Sequence, residues 1–365
     1  MKNNVTIRVE KCSGKGSAYM ALNHPSLDNS HILITGSSGT GKTVGSATCV
    51  NEYLKNGISV FAIDATDGLR LDTMPEFFYH ENQKRINVIS VYDEGLGMNL
   101  LERKKIYVND EKRLEKDCDV ADRITDLIAE THRLGQNQQC LLNEAIITAL
   151  WISEDRKSID LSDVCNILKI SKDKSAKSLL VKLRRIERRK IFTRGNFSWD
   201  GVLYGEPTLT VFQLSGLQPE IKKLACDFIL MDFMFYVMLN GSRDKPCVLW
   251  ADECQKFNFK KDSALYDILT LGRKFGVSAI FCTQYIHDNF KPEIEKCLSL
   301  AATRLIFRPT DAEIKYIAKQ YHISSENELA KLAKLECIAF GKFVDSCGNV
   351  LARNRQKLKF RLTRV

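Results

Sequence analysis

Gly36-Ser37-Ser38-Gly39-Thr40-Gly41-Lys42-Thr43 fills every fixed position of the pattern G-x-x-x-x-G-K-[ST]. The motif needs a strand in front and a helix behind, because successive backbone N–H groups at a helix start then point at one anion. Both are in place. His31 to Thr35 reads as a short buried strand, and Val44 to Leu54 continues with helical spacing. Glycines allow the tight turn around a phosphate, Lys42 is placed to reach the β- and γ-phosphates, and the Thr43 hydroxyl is suited to Mg²⁺. The stretch predicts a nucleoside triphosphate site, with ATP and Mg²⁺ as the expected cofactors.

A phosphate cradle hydrolyses nothing without a metal carboxylate and a base. Far downstream, Cys247-Val248-Leu249-Trp250-Ala251 is an apolar run ending in Asp252-Glu253. A buried central strand whose carboxyl end meets the phosphate loop has this form. Asp252 is the candidate Mg²⁺ ligand, and Glu253 the candidate base for the attacking water. Paired acids also end ordinary strands, where they are merely solvated. Next, Leu269 to Gln284 reads as a helix end, a glycine turn (Gly272-Arg273-Lys274-Phe275-Gly276) and another buried strand finishing in Thr283-Gln284. Beside the two acids, Gln284 could sense a γ-phosphate; elsewhere it would only cap a turn.

These four motifs, in this order and spacing, resemble the HerA/FtsK superfamily of hexameric DNA-pumping ATPases. The resemblance extends to Ala302–Asp311 and covers most of residues 31–345. Within the superfamily the chain looks most similar to the HerA-like ATPases of bacterial defence systems, including the phosphorothioation-linked type. The resemblance implies nucleotide and Mg²⁺ binding by Lys42 and Thr43, an acid pair at Asp252 and Glu253, and a sensor at Gln284. It also implies that Arg273 acts as an arginine finger in the active site of a neighbouring subunit, with Arg304 and Arg308 as rivals. The implied partners are double-stranded DNA, a nuclease or other effector protein, and further copies of the chain in a six-membered ring.

Length and charge fit one motor domain with an inserted lobe. A chain of 365 residues can bury a large core. No apolar run approaches the roughly 20 residues that span a bilayer, and Met1 to Asn4 does not open a signal peptide, so a cytoplasmic protein without membrane contact is expected. Twelve cysteines are scattered without a C-x-x-C pair, which disfavours zinc and, with no export signal, favours reduced thiols. No nuclease constellation is apparent. The net charge of +9 concentrates in two stretches. Lys182, Arg184, Arg185, Arg188, Arg189 and Lys190 crowd one helix, and Arg353, Arg355, Lys357, Lys359, Arg361 and Arg364 alternate along the tail. Either stretch suits phosphates; the alternation with Leu358, Phe360 and Leu362 equally suits a strand packed on a neighbouring subunit.

The expected fold is α/β, a RecA-like (ASCE) P-loop NTPase whose mostly parallel sheet carries helices on both faces and an extra strand between the two nucleotide motifs. Residues 1–30 form a short strand and lead-in, 31–108 the first part of the core, 109–200 an all-helical insertion, 201–345 the second part, and 346–365 a basic tail. The β-barrel that often precedes this core in relatives is expected to be missing or reduced. Three readings follow. They are a ring-forming translocase on double-stranded DNA, a secretion or conjugation coupling ATPase, and a nucleotide-switched assembly scaffold.

Overall fold

The computed structural model describes residues 4–12, 16–152, 159–261, 263–287, 290, 292–352 and 354–361. Arg353, Leu362 and Arg364 of the tail lie outside the described residues. Fourteen strands are described: β1 (Val5–Lys11), β2 (Ser17–Asn23), β3 (Ile32–Thr35), β4 (Val60–Asp64), β5 (Ile86–Ser90), β6 (Lys105–Val108), β7 (Glu111–Leu114), β8 (Leu209–Gln213), β9 (Cys247–Ala251), β10 (Val277–Thr283), β11 (Thr303–Phe307), β12 (Glu336–Phe340), β13 (Phe343–Val344) and β14 (Arg355–Lys359). Twelve of them make one sheet in the order β13-β2-β1-β14-β12-β11-β3-β10-β9-β4-β8-β5, and β6 with β7 forms a separate hairpin.

The pairings around the nucleotide motifs are parallel. β3 pairs with β10 and with β11, while β9 pairs with β10 and with β4. The Gln284 strand therefore lies between the phosphate-loop strand and the acid-pair strand, as expected for the ASCE arrangement. Every residue of β3, β4, β9 and β10 is buried. Strands covered on both faces are largely apolar, hence the near-continuous runs, with the polar Thr35, Asp64 and Thr283 at the carboxyl ends that meet the site.

Beyond β11 the sheet continues antiparallel through β12, β14, β1, β2 and β13. The lead-in is thus a hairpin of two long strands, and the basic tail is a strand of the chain's own sheet. Alternation explains the tail: Leu358 and Phe360 are buried, while Lys357 pairs with Glu336 at 3.0 Å and Arg355 with Glu328 at 2.5 Å.

The chain divides into two compact units. One comprises residues 1–88, 200–211 and 241–365, with the nucleotide motifs; the other comprises 89–199 and 212–240. The second unit holds the β6–β7 hairpin and the helices Asp117–His132, Gln136–Ile152, Leu161–Ile170, Ala176–Glu187 and Pro219–Asn240. A strand, β7, thus opens the stretch 109–200 read as wholly helical, and the last helix, read as core, joins the helical unit. Its anchors explain why. Asp232 accepts from the Trp199 indole at 2.8 Å and pairs with Lys104, and the Arg123 guanidinium lies 5.3 Å from the Phe235 ring centroid. No described helix is long and apolar enough to cross a membrane.

Candidate nucleotide-binding site

The phosphate loop leaves β3 and enters a helix that starts at Lys42 and runs to Lys55, so Lys42 and Thr43 sit in its first turn. Gly41 precedes it at φ 123°, and no side chain caps the helix start. The first-turn N–H groups are therefore available to a ligand. Gly36, Gly39 and Gly41 all have positive φ.

The loop is braced from behind by β11 and the segment that follows β11. Ser37 donates its N–H and its hydroxyl to the Arg308 carbonyl at 2.8 and 3.0 Å, and the Thr40 hydroxyl donates to the Ser37 carbonyl at 2.7 Å. The Leu335 N–H donates to the Thr40 carbonyl at 2.8 Å. Phe307 fills the space beneath. A Cβ at Gly36 would stand 2.7 Å from the Phe307 Cβ, and one at Gly45 would stand 2.8 Å from its Cζ. Gly45 lies outside the motif, and only this packing explains it.

Asp252 and Glu253 follow β9 directly, and Asp252 is 9% exposed. Burial, together with the Glu253 and Asp64 carboxylates, pushes the Asp252 carboxyl up to about 6, against the opposing pull of Lys42. Glu253 adopts the left-handed conformation at φ 49° and ψ 50°, uncommon for a residue with a side chain. Its two oxygens are held by two amides: Gln284 Nε2 donates to Oε1 at 3.0 Å, and Gln255 Nε2 donates to Oε2. The structure therefore brings Gln284 and Glu253 together. Lys42 is buried and turns its Nζ to the Ser37 carbonyl at 3.1 Å. Burial lowers its pKa, and Glu253 and Asp252 offset part of that.

Two residues here escaped the sequence reading. Asp64, at the end of β4, accepts from the N–H groups of Thr66, Gly68 and Leu69 at 3.1 to 3.2 Å. Gly68 approaches so closely that a Cβ would stand 2.9 Å from Asp252 Oδ2. An acid ending a buried strand beside the Asp252 strand was the available signal for Asp64. For Gln255 the signal was weak: a polar residue two places after the acid pair.

Three arginines were candidates for the finger. Arg273 is exposed in the turn before β10 and donates to the Asp28 carbonyl. It is not brought to Glu253 of its own chain, since Gln284 follows the other end of the same seven-residue strand. Arg304 is engaged locally, donating to the Ser299 carbonyl with its guanidinium 5.5 Å from the Tyr321 ring centroid. Arg308 is exposed beside the phosphate loop, which its carbonyl braces.

Whether the site fits a magnesium–nucleotide complex is decided by its uncompensated charge. Asp252, Glu253 and Asp64 bring three carboxylates together near the buried ammonium of Lys42, beside a cradle whose helix start presents uncapped backbone N–H groups. That donor set fits a divalent cation held by Thr43 and Asp252, with phosphates on the loop.

In the helical unit, Arg184 and Arg185 of the basic helix and Arg188 and Arg189 just past its end line one open cavity of about 660 Å³ with Val181 and Gln218. Lys182 is occupied, donating to the His132 carbonyl at 3.3 Å and to Gln138 Oε1 at 3.1 Å.

A glycine cradle at a helix start, facing a strand-end acid across one intervening strand, defines the RecA-like P-loop NTPases. More closely, the chain belongs to the AAA-like domain family, whose model matches residues 18–339. No curated protein sequence matches it. Among solved structures it is similar to VirB4 of Thermoanaerobacter pseudethanolicus at a TM-score of 0.70 and 15% identity, covering 98% of this chain and 96% of that one. It is also similar to the bacterial conjugative coupling protein TrwB, at a TM-score of 0.61 and 15% identity over 98% and 89% of the two chains. TrwB in complex with ADP and Mg²⁺ matches at a TM-score of 0.59 and 17% identity, over 92% and 85%.

Proposed function

We propose that the protein is an ATP-hydrolysing motor of the conjugation or secretion coupling type that works as a ring of identical subunits. The observation that supports this is the Gln284–Glu253 hydrogen bond of 3.0 Å beside Asp252, which joins the proposed sensor to the proposed base at one sheet edge. In this reading the loop from Gly36 to Thr43 binds the phosphates, Lys42 leaves the Ser37 carbonyl for the β- and γ-phosphates, and Thr43 and Asp252 hold Mg²⁺. The metal neutralises phosphate charge when bound. Glu253 takes a proton from the attacking water as the new oxygen–phosphorus bond forms and the bond to the bridging oxygen breaks, giving ADP and phosphate. Gln284 keeps the Glu253 carboxylate on station and reports the γ-phosphate. Arg273 serves the next subunit's site. The helical unit is the insertion of this motor.

Similarity to VirB4 and TrwB supports the coupling reading over that of a defence-linked, HerA-like translocase paired with a nuclease. Translocation of double-stranded DNA is the second reading, favoured by the four arginines around the 660 Å³ cavity of the basic helix. Hydrolysis measured against protein concentration and added linear duplex DNA separates the cases. A DNA-handling motor is stimulated by both, and a coupling motor with another substrate by concentration alone. Stimulation by neither contradicts the motor and leaves a nucleotide switch.

A further inference from the structure

Two turns at the amino ends of β9 and β10 carry exposed arginines, Arg243 in one and Arg273, which donates to the Asp28 carbonyl, in the other. Ser242–Lys245 closes a tight turn, with the Lys245 N–H donating to the Ser242 carbonyl at 3.0 Å, and Arg243 sits exposed at its tip. Arg273 lies in the single helical turn Gly272–Phe275, which Gly276 ends at φ 76°. Gly276 fuses the two. A Cβ there would stand 2.1 Å from the Ser242 carbonyl oxygen, and the Cys247 N–H donates to the Gly276 carbonyl at 3.1 Å. Arg243 and Arg273 line one cavity of about 190 Å³ with His24 and Leu27, and none of the residues lining it is acidic.

Two arginines lining a pocket that has no carboxylate among its described lining residues suit an anion, for which Arg273 would exchange the Asp28 carbonyl. That anion is not the nucleotide of their own chain. β9 and β10 are parallel, so their amino ends share one edge of the sheet, while Asp252 and Gln284 follow their carboxyl ends. Seven residues of strand separate the edges by roughly 20 Å. We propose that Arg243 is a second trans-acting arginine, and that Arg243 and Arg273 together grip the γ-phosphate held by an adjacent copy of this chain. The inference rests on the motor reading given above and names the second residue the neighbour lends. Gly276 holds the pair at fixed spacing, so the two charges arrive as a unit. Developing charge on the γ-phosphate is spread over three oxygens, which suits two forks better than one.

The test uses the full chain with Arg243→Ala, Arg243→Lys and Arg273→Ala, each read for binding of a fluorescent ATP analogue and for turnover at a concentration where wild type is assembled. Arg243→Ala is expected to bind the analogue as wild type does and to lose at least about tenfold in turnover, with Arg243→Lys between the two because it keeps charge but not the fork. Adding excess Glu253→Gln chains, whose own arginines are intact, should restore turnover to Arg243→Ala. Turnover within twofold of wild type for Arg243→Ala, while Arg273→Ala is crippled, overturns the inference and leaves the motor reading standing. Failure of the mixture to recover overturns it also, because Arg243 then acts within its own chain. Full activity in both alanine variants removes the trans reading altogether. If Arg243→Ala fails to fold, Arg243→Gln, which keeps length and polarity, decides by the same readings.

Discussion

Asp252→Asn should stabilise the nucleotide-free protein while abolishing hydrolysis. The Asp252 carboxyl is pushed up from 3.8 to about 6 by burial and by the neighbouring Glu253 and Asp64 carboxylates. Well below pH 3.8 the group is protonated in both folded and unfolded chains and contributes nothing. Between the two values the unfolded chain releases its proton first, so the folded state loses ground as pH rises. Above pH 6 both forms are ionised and the full penalty stands. At 1.36 kcal/mol per pH unit, that penalty comes to about 3 kcal/mol at neutral pH. Asparagine has nearly the same shape and no charge, so the penalty should vanish, raising the melting temperature of the nucleotide-binding unit by roughly 6 to 12 °C at pH 7. Thermal unfolding of both proteins, without nucleotide or Mg²⁺, at pH 4 and pH 7 measures it. The gain should be present in full at pH 7 and largely lost at pH 4. An unchanged or lower melting temperature for Asp252→Asn at pH 7 would refute the charge accounting of the site.

Three further outcomes are expected. Lys42→Ala should lose nucleotide binding, whereas Glu253→Gln should bind ATP and fail to turn it over; equal loss of affinity in both, read by a fluorescent analogue, would reverse the assigned roles. Gln284→Ala and Gln255→Ala each free one oxygen of Glu253, so each should lower kcat by about tenfold or more with KM little changed, and a change confined to KM would show that neither amide positions the base. Phe307→Ala removes the ring beneath Gly36, Gly41 and Gly45 and should destabilise the fold by about 3 to 5 kcal/mol, measured by denaturant unfolding, with weakened nucleotide binding where the fold survives.

Continuous apolar runs made the parallel strands legible. Cys247–Ala251 and Val277–Thr283 are buried throughout and largely apolar, with Ser278 and Thr283 the only hydroxyls in the two strands, so the runs mark them and the residues just after them mark the site. The phosphate loop was legible for the same reason, since its chemistry depends on backbone and glycine at fixed spacing. What escaped was set by backbone conformation or by contacts between distant segments. Gln255 matters only because Glu253 takes a left-handed conformation, which turns the amide back onto the carboxylate. Gly45 and Gly276 look like ordinary glycines until Phe307 and the Ser242 carbonyl are placed against them. The alternation in the tail correctly signalled a strand, but one of its partners, β1, lies at the far end of the sequence, and no local pattern names a partner.

The central claim is that ATP is cleaved only where one copy of the chain meets the next. ATP turnover per chain, followed from nanomolar to micromolar protein with particle mass measured in parallel, tests it most directly. Turnover should be near zero for single copies and rise in step with the assembled fraction. Constant turnover per chain across the series, with single copies as active as assemblies, would contradict the account.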